Sequence, residues 1–159
     1  MSSAKHIFFK ILRKNTYLLS KKCILHLQKN NSMQNKLNAV KEFHTAYKLG
    51  YSETMKADLG EQKNLLRFNL MKEENEEYLE AARNNDIVEV ADALGDMLYI
   101  LCGTIIEHGL QDKIEAVFNE IQRSNMSKLG EDGQPIYRED GKVMKGPNYF
   151  KPNFDEILK

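Results

Sequence analysis

Nine carboxylates crowd into residues 73–96, with Arg83 as the single cation among them. Eight of them fall into two groups, Glu73-Glu74-Asn75-Glu76-Glu77-Tyr78-Leu79-Glu80 and Glu89-Val90-Ala91-Asp92-Ala93-Leu94-Gly95-Asp96, with Asp86 between. A helix turns about 100° per residue, so Glu73, Glu77 and Glu80 share a face roughly 60° wide, with Glu74 beside Glu77. Glu89, Asp92 and Asp96 form a second row by the same spacing. Like charges so placed destabilise a helix by about 0.2–0.5 kcal/mol per pair. A shared divalent cation offsets that repulsion. With oxygen donors and no Cys or His in the cluster, the chemistry suits Mg²⁺ or Mn²⁺ rather than zinc. Mg²⁺ keeps several waters and takes few carboxylates, so four or more of them point to more than one ion and a bridging polyphosphate substrate.

A solvated acidic face is the competing explanation, and it suits Glu76 and Asp86. Such faces normally carry Lys or Arg at i+4. That compensation is nearly absent here, and the second row lies in an otherwise apolar segment. Other chemistries are excluded by missing motifs. No Glu-x-x-His occurs, which argues against an oxygen-activating di-iron bundle. No Gly-x-x-x-x-Gly-Lys-Ser/Thr loop occurs, which removes a P-loop enzyme.

The elements that must carry these rows are helical. Leu37, Val40, Phe43/His44 and Tyr47 recur at helical spacing over 35–49, with Gly50 as a stop. His44 on that face reads as a packed histidine rather than a ligand. A second helix is expected over 61–83, with Leu65, Leu66, Phe68, Leu70, Met71, Tyr78, Leu79 and Ala82 as apolar contacts. Asn84-Asn85-Asp86 is a turn and N-cap signal. The third helix runs from Ile87 to about His108 with a stripe of Ile87, Ala91, Leu94, Leu98, Leu101 and Ile105. Beyond Gly95 it is apolar nearly all round, so residues 97–106 should be enclosed, inside the domain or at a dimer interface. A fourth helix is expected over 112–127, after Gly109. The tail then loses helical period, and Asp140-Gly141 is a hairpin-tip signal.

The chain has 159 residues, enough for one domain with a core, and zero net charge. That balance hides an asymmetry: residues 1–33 hold seven Lys/Arg and no acid, leaving 16 basic and 23 acidic residues in 34–159. The acidic body argues against a nucleic-acid-binding surface. Cys23 and Cys102 read as free thiols in a reducing compartment, which with the absence of a secretory core favours the cytoplasm. No apolar run approaches the roughly 20 residues that span a membrane. Residues 1–32 mix apolar and basic residues and resemble a mitochondrial-type presequence in character. A targeting segment, a membrane-surface helix and an upstream extension all suit them. They are expected to be a non-catalytic extension, with the functional domain over 33–159.

Glu73-Glu74-x-x-Glu77 followed by Glu89-x-x-Asp92 resembles the signature of the all-α nucleoside triphosphate pyrophosphohydrolases, which include MazG-like enzymes, dimeric dUTP pyrophosphatases and phosphoribosyl-ATP pyrophosphohydrolases. Residues 91–99 are similar to the family's second metal helix, and Ser124–Lys128 and Lys145–Tyr149 to its C-terminal segment. The resemblance covers roughly residues 34–153. It implies an all-α bundle of four to five helices with an irregular C-terminal tail. It further implies hydrolysis between the α and β phosphates, giving a monophosphate and pyrophosphate. Glu74, Glu77, Glu89 and Asp92 would be the metal ligands, and Asp96 a further ligand or support for one. Glu73 and Glu77 would be the catalytic carboxylates, Glu73 as ligand or base for the attacking water. Asn125, Lys128 and Lys145 would meet base, sugar or phosphates, although ordinary surface lysines explain the last two equally well. A homodimer or homotetramer is implied too. Among substrates, nucleotide-pool housekeeping ranks above phosphoribosyl-ATP hydrolysis, because the tail looks unlike the short histidine-pathway enzymes. From another class, a non-catalytic metal-binding helical dimer would carry the same rows.

Overall fold

Asparagine and aspartate at 84–86 set the geometry of the whole domain, because they turn the chain back within three residues. In a computed structural model that describes residues 32–159, Asn85 takes a left-handed conformation (φ +56°). The Asp86 carboxylate accepts hydrogen bonds from Val88 N at 3.0 Å and Glu89 N at 3.2 Å. It satisfies two of the amides that a helix start leaves orphaned. Asp86→Ala is expected to lower stability by about 1 kcal/mol, read as a shift of the urea midpoint with an unchanged slope.

Four helices are present among the described residues: α1 (Met33–Ala46), α2 (Glu61–Arg83), α3 (Ile87–Glu107) and α4 (Ile114–Met126). The architecture is all-α, as expected, and α2 and α3 pack as an antiparallel pair with α1 laid on α3. Residues 1–31, with the basic extension and its targeting reading, lie outside the described residues.

The core gathers at one end, where Leu37 and Val40 of α1 meet Cys102, Ile105 and Ile106 of α3, joined by Met33, Leu110 and Ile114. Each fully buried aliphatic side chain there contributes roughly 1.5–3 kcal/mol. Phe43 and Tyr99 extend the α1–α3 seam as an edge-to-face pair with centroids 5.6 Å apart. The 47–60 loop wraps the C-terminus of α3: Ser52 N donates to Ile106 O and Lys56 N to His108 O, each at 3.0 Å. Gln111 Nε2 donates to Ser52 O at 3.0 Å. The bonds to Ile106 O and His108 O tie the loop to the C-terminus of α3, where Ile106 O also accepts from Gly109 N at 3.2 Å.

Within the chain, residues 97–106 are enclosed on two sides. Cys102, Gly103, Ile105 and Ile106 are buried, but Leu98 and Leu101 are 39% and 45% exposed, as is Leu94 (48%) one turn earlier. The stripe running from Ile87 through Leu101 therefore faces outward. Helix α3 is covered by α1 and α2 on adjacent sides, which leaves a third side open. On α2, Leu65, Leu66, Phe68 and Leu79 are likewise exposed, whereas Arg67 and Ala81 are the buried residues. Helix α4 leaves the core after Ile114 and is held mainly by the tail, through Ser124 Oγ to Phe150 O at 2.8 Å and Asn153 N to Glu120 Oε1 at 2.8 Å. The hairpin expected at Asp140-Gly141 is reduced to one antiparallel bridge, Tyr137 to Val143, with Gly141 at φ +82°. No described helix is long and apolar enough to cross a membrane.

Candidate active site

Packing α2 against α3 brings the two carboxylate rows face to face, and Glu74 is where they converge. It is the partly buried member of the set; Glu73, Glu77, Glu89, Asp92 and Asp96 are exposed. Its carboxyl is pushed above the ordinary value, first by burial and then by the charges of Glu77, Asp96, Glu73 and Asp92. Four of the other five candidates, from two helices, thus act on Glu74. Glu89 stands apart from Glu74. It lines an open acidic groove of about 370 Å³ with Glu77, Glu80, Ala81, Asn84 and Asp86, so Glu77 belongs to both sets.

Among the described residues, none of these six carboxylates pairs with a cation. Lys72, one residue before the cluster, reaches Glu76 at 3.6 Å instead, which agrees with Glu76 as an ordinary solvated residue. No three His, Cys, Asp or Glu side chains among the described residues already stand close enough together to hold a metal ion. Ligation would require rotation of exposed carboxylates, whose rotamers are free to change. The donor set fits a hard divalent cation: oxygen only, mutually repelling and uncompensated. Burial and repulsion at Glu74 also give a test. A raised carboxyl favours folding while it is protonated, so its contribution is present below the ordinary value of 4.5 and is lost as pH rises through the elevated value. Glu74→Gln is therefore expected to raise the melting temperature of metal-free protein at neutral pH and to leave it nearly unchanged at pH about 4.

Asn125, Lys128 and Lys145 are brought together by the end of α4 and the returning tail. Lys128 Nζ donates to Asn125 Oδ1 at 2.7 Å, and Gly146 N donates to Lys128 O at 2.9 Å. Lys145 Nζ lies 4.5 Å from the centroid of the Tyr149 ring. Among the described residues no hydrogen bond or ion pair joins this trio to the carboxylate rows.

A buried polar cluster beneath the site escaped the sequence reading. Arg67 of α2 is 7% exposed and Glu107 of α3 is 4% exposed. Glu107 Oε1 lies 3.9 Å from Arg67 Nη1 and 3.7 Å from His44 Nδ1, while Lys63 Nζ stands 3.4 Å from its Oε2. His44 Nδ1 is 2.8 Å from Gly50 O; a carbonyl only accepts, so that nitrogen carries the proton. His44 is 3% exposed, a packed histidine on the inner face of α1. Burial lowers the Arg67 pKa, and the nearby Glu107 carboxylate opposes the shift. Removing one partner of such a pair typically costs about 3–5 kcal/mol. The signal was a charge set among apolar neighbours, Leu65-Leu66-Arg67-Phe68 and Ile105-Ile106-Glu107.

A model of the family described as phosphoribosyl-ATP pyrophosphohydrolase matches residues 40–125, more than half of the chain. The matched span holds all six carboxylates together with Arg67, Glu107 and Asn125. No curated protein matches the chain. Helices without strands among the described residues, two carboxylate rows converging on Glu74 and this match agree with one another, and the chain belongs to the phosphoribosyl-ATP pyrophosphohydrolase family, within the MazG-like all-α nucleoside triphosphate pyrophosphohydrolase superfamily.

Proposed function

We infer that the chain is a divalent-metal-dependent pyrophosphohydrolase that cleaves a nucleoside triphosphate between its α and β phosphates, releasing a monophosphate and pyrophosphate. The observation that carries this reading is the convergence of Glu73, Glu77, Asp92 and Asp96 on Glu74 within a chain of pyrophosphohydrolase lineage. Glu74, Glu77, Glu89 and Asp92 would hold the cation, with Asp96 as a further ligand or support. When bound, Mg²⁺ or Mn²⁺ supplies Lewis acidity toward water and charge compensation for the phosphates. Glu73 accepts the proton of the attacking water, a role for which its carboxylate must be ionised. Asn125, Lys128 and Lys145 contact base, sugar or phosphate, the two ammonium groups supplying positive charge in an acidic body.

A (d)NTP of the nucleotide pool is one substrate reading. Phosphoribosyl-ATP is a second, favoured by the family whose model matches. Assembly as a homodimer or homotetramer is part of the proposal, supported by the outward apolar stripe of Leu94, Leu98 and Leu101 and by Phe118 on α4. The deciding assay is pyrophosphate release from a panel of (d)NTPs and phosphoribosyl-ATP, with Mg²⁺, Mn²⁺ or EDTA. Metal-dependent release with a monophosphate co-product is expected. Orthophosphate with a diphosphate product would remove α–β cleavage from consideration.

A further inference from the structure

Arg67 crosses from α2 to α3 and makes two directed hydrogen bonds there. Its Nη2 donates to Ile100 O at 2.6 Å, and its Nε donates to Thr104 Oγ1 at 3.0 Å. Thr104 Oγ1 donates in turn to Ile100 O at 2.9 Å, which closes the arrangement on itself. A guanidinium is planar with donors in fixed directions. Two bonds from one such plane to groups a turn apart fix both the slide and the rotation of α3 relative to α2. Glu107 Oε1 stands 3.9 Å from Arg67 Nη1, and Gly103 makes room for the guanidinium and for His44. A Cβ there would stand 2.9 Å from Arg67 Nη2 and 3.0 Å from His44 Nε2.

The carboxylates ride on the same two helices. Glu74 lies two turns from Arg67 on nearly the same face of α2, about 10 Å along the axis. Asp96 and Asp92 lie one and two turns before Ile100 on α3. Helices transmit such a register stiffly, so a slip at Arg67 moves one row past the other.

We propose that Arg67 is a positioning residue that sets the register of the two carboxylate rows and thereby suits the site to a small cation. The proposal rests on the metal-site reading under Proposed function. Mg²⁺ requires near-octahedral oxygens at about 2.0–2.1 Å, whereas Ca²⁺ accepts six to eight ligands in irregular arrangements. A lost register therefore weakens Mg²⁺ more than Ca²⁺, a selectivity change that general destabilisation does not produce.

The test is calorimetric titration of the full chain with MgCl₂ and with CaCl₂, without nucleotide, beside thermal melts. Arg67→Met is combined with Glu107→Gln, so that no unpaired charge is left buried. Gly103→Ala keeps every charge and displaces the guanidinium sterically. Arg67→Lys keeps the charge but cannot form both bonds from one plane. In variants that melt cooperatively, Mg²⁺ affinity is expected to fall roughly tenfold or more, as for groups that orient metal ligands. Ca²⁺ affinity should change by less than about threefold. Unchanged Mg²⁺ affinity, equal losses for both ions, or unfolding of all three variants would overturn the proposal. Glu74→Ala separates the two failures: it abolishes Mg²⁺ binding if the carboxylate reading is right, whatever the Arg67 variants do. An unaltered chain that binds neither ion would overturn the site reading and the positioning role together.

Discussion

Glu74→Ala and Asp92→Ala are each expected to reduce pyrophosphate release at least about 100-fold while the protein keeps its helical content and cooperative melt. The magnitude follows from the loss of a ligand, since even groups that only orient ligands cost about 10–100-fold. Retention of the fold follows from the local electrostatics. Glu74 is destabilised by burial and by four neighbouring carboxylates, and no described cation pairs with it. Its removal relieves repulsion in the metal-free state. Asp92 is exposed and lies outside the buried hydrophobic cluster. The outcome separates the enzyme from a helical protein that binds metal only structurally. A structural site would give a metal-dependent rise in melting temperature in the unaltered chain, lost in both variants, with no turnover in any of them. Activity surviving either substitution would remove these residues from the site.

Gly109→Ala is expected to destabilise the fold by roughly 2–4 kcal/mol, a fall in melting temperature of roughly 5–15 °C. Gly109 sits at φ +71°, where an L side chain is strained. A Cβ there would also press into the Thr54 carbonyl, 2.5 Å from its carbon and 3.0 Å from Met55 N. Both are backbone of the loop that caps α3, bound through Ser52 N to Ile106 O and Lys56 N to His108 O. Relief of the clash would break that cap. Gly141→Ala is the control, because Gly141 has a similar φ of +82° and nothing within 4 Å of the added carbon. It should cost about 1 kcal/mol, the strain alone. Equal losses at both sites would show that the Thr54 contact contributes nothing.

Much of this molecule is a local matter. The α2 span expected over 61–83 is the one observed, Glu61–Arg83, because Asp58-Leu59-Gly60 and Asn84-Asn85-Asp86 punctuate it on both sides. Helical period alone placed Glu73, Glu74 and Glu77 on one face and Glu89, Asp92 and Asp96 on another. Which members of the two rows meet was not local. Period fixes angles within a helix, whereas rotation and slide between helices depend on what packs at the crossing. Here that crossing is polar, with Arg67 reaching Ile100 O and Thr104 Oγ1, so α2 turns Glu74 and Ala81 inward and leaves Leu65, Phe68 and Leu79 outside. The same rotation puts Glu74 among Asp92 and Asp96 and sets Glu89 across a groove beside Glu77. Composition and spacing by themselves determined the helices, their order and the oxygen-rich rows. Tertiary packing alone decided that Glu74 is the point of convergence, since burial of an arginine–glutamate pair cannot be read from one helix in isolation.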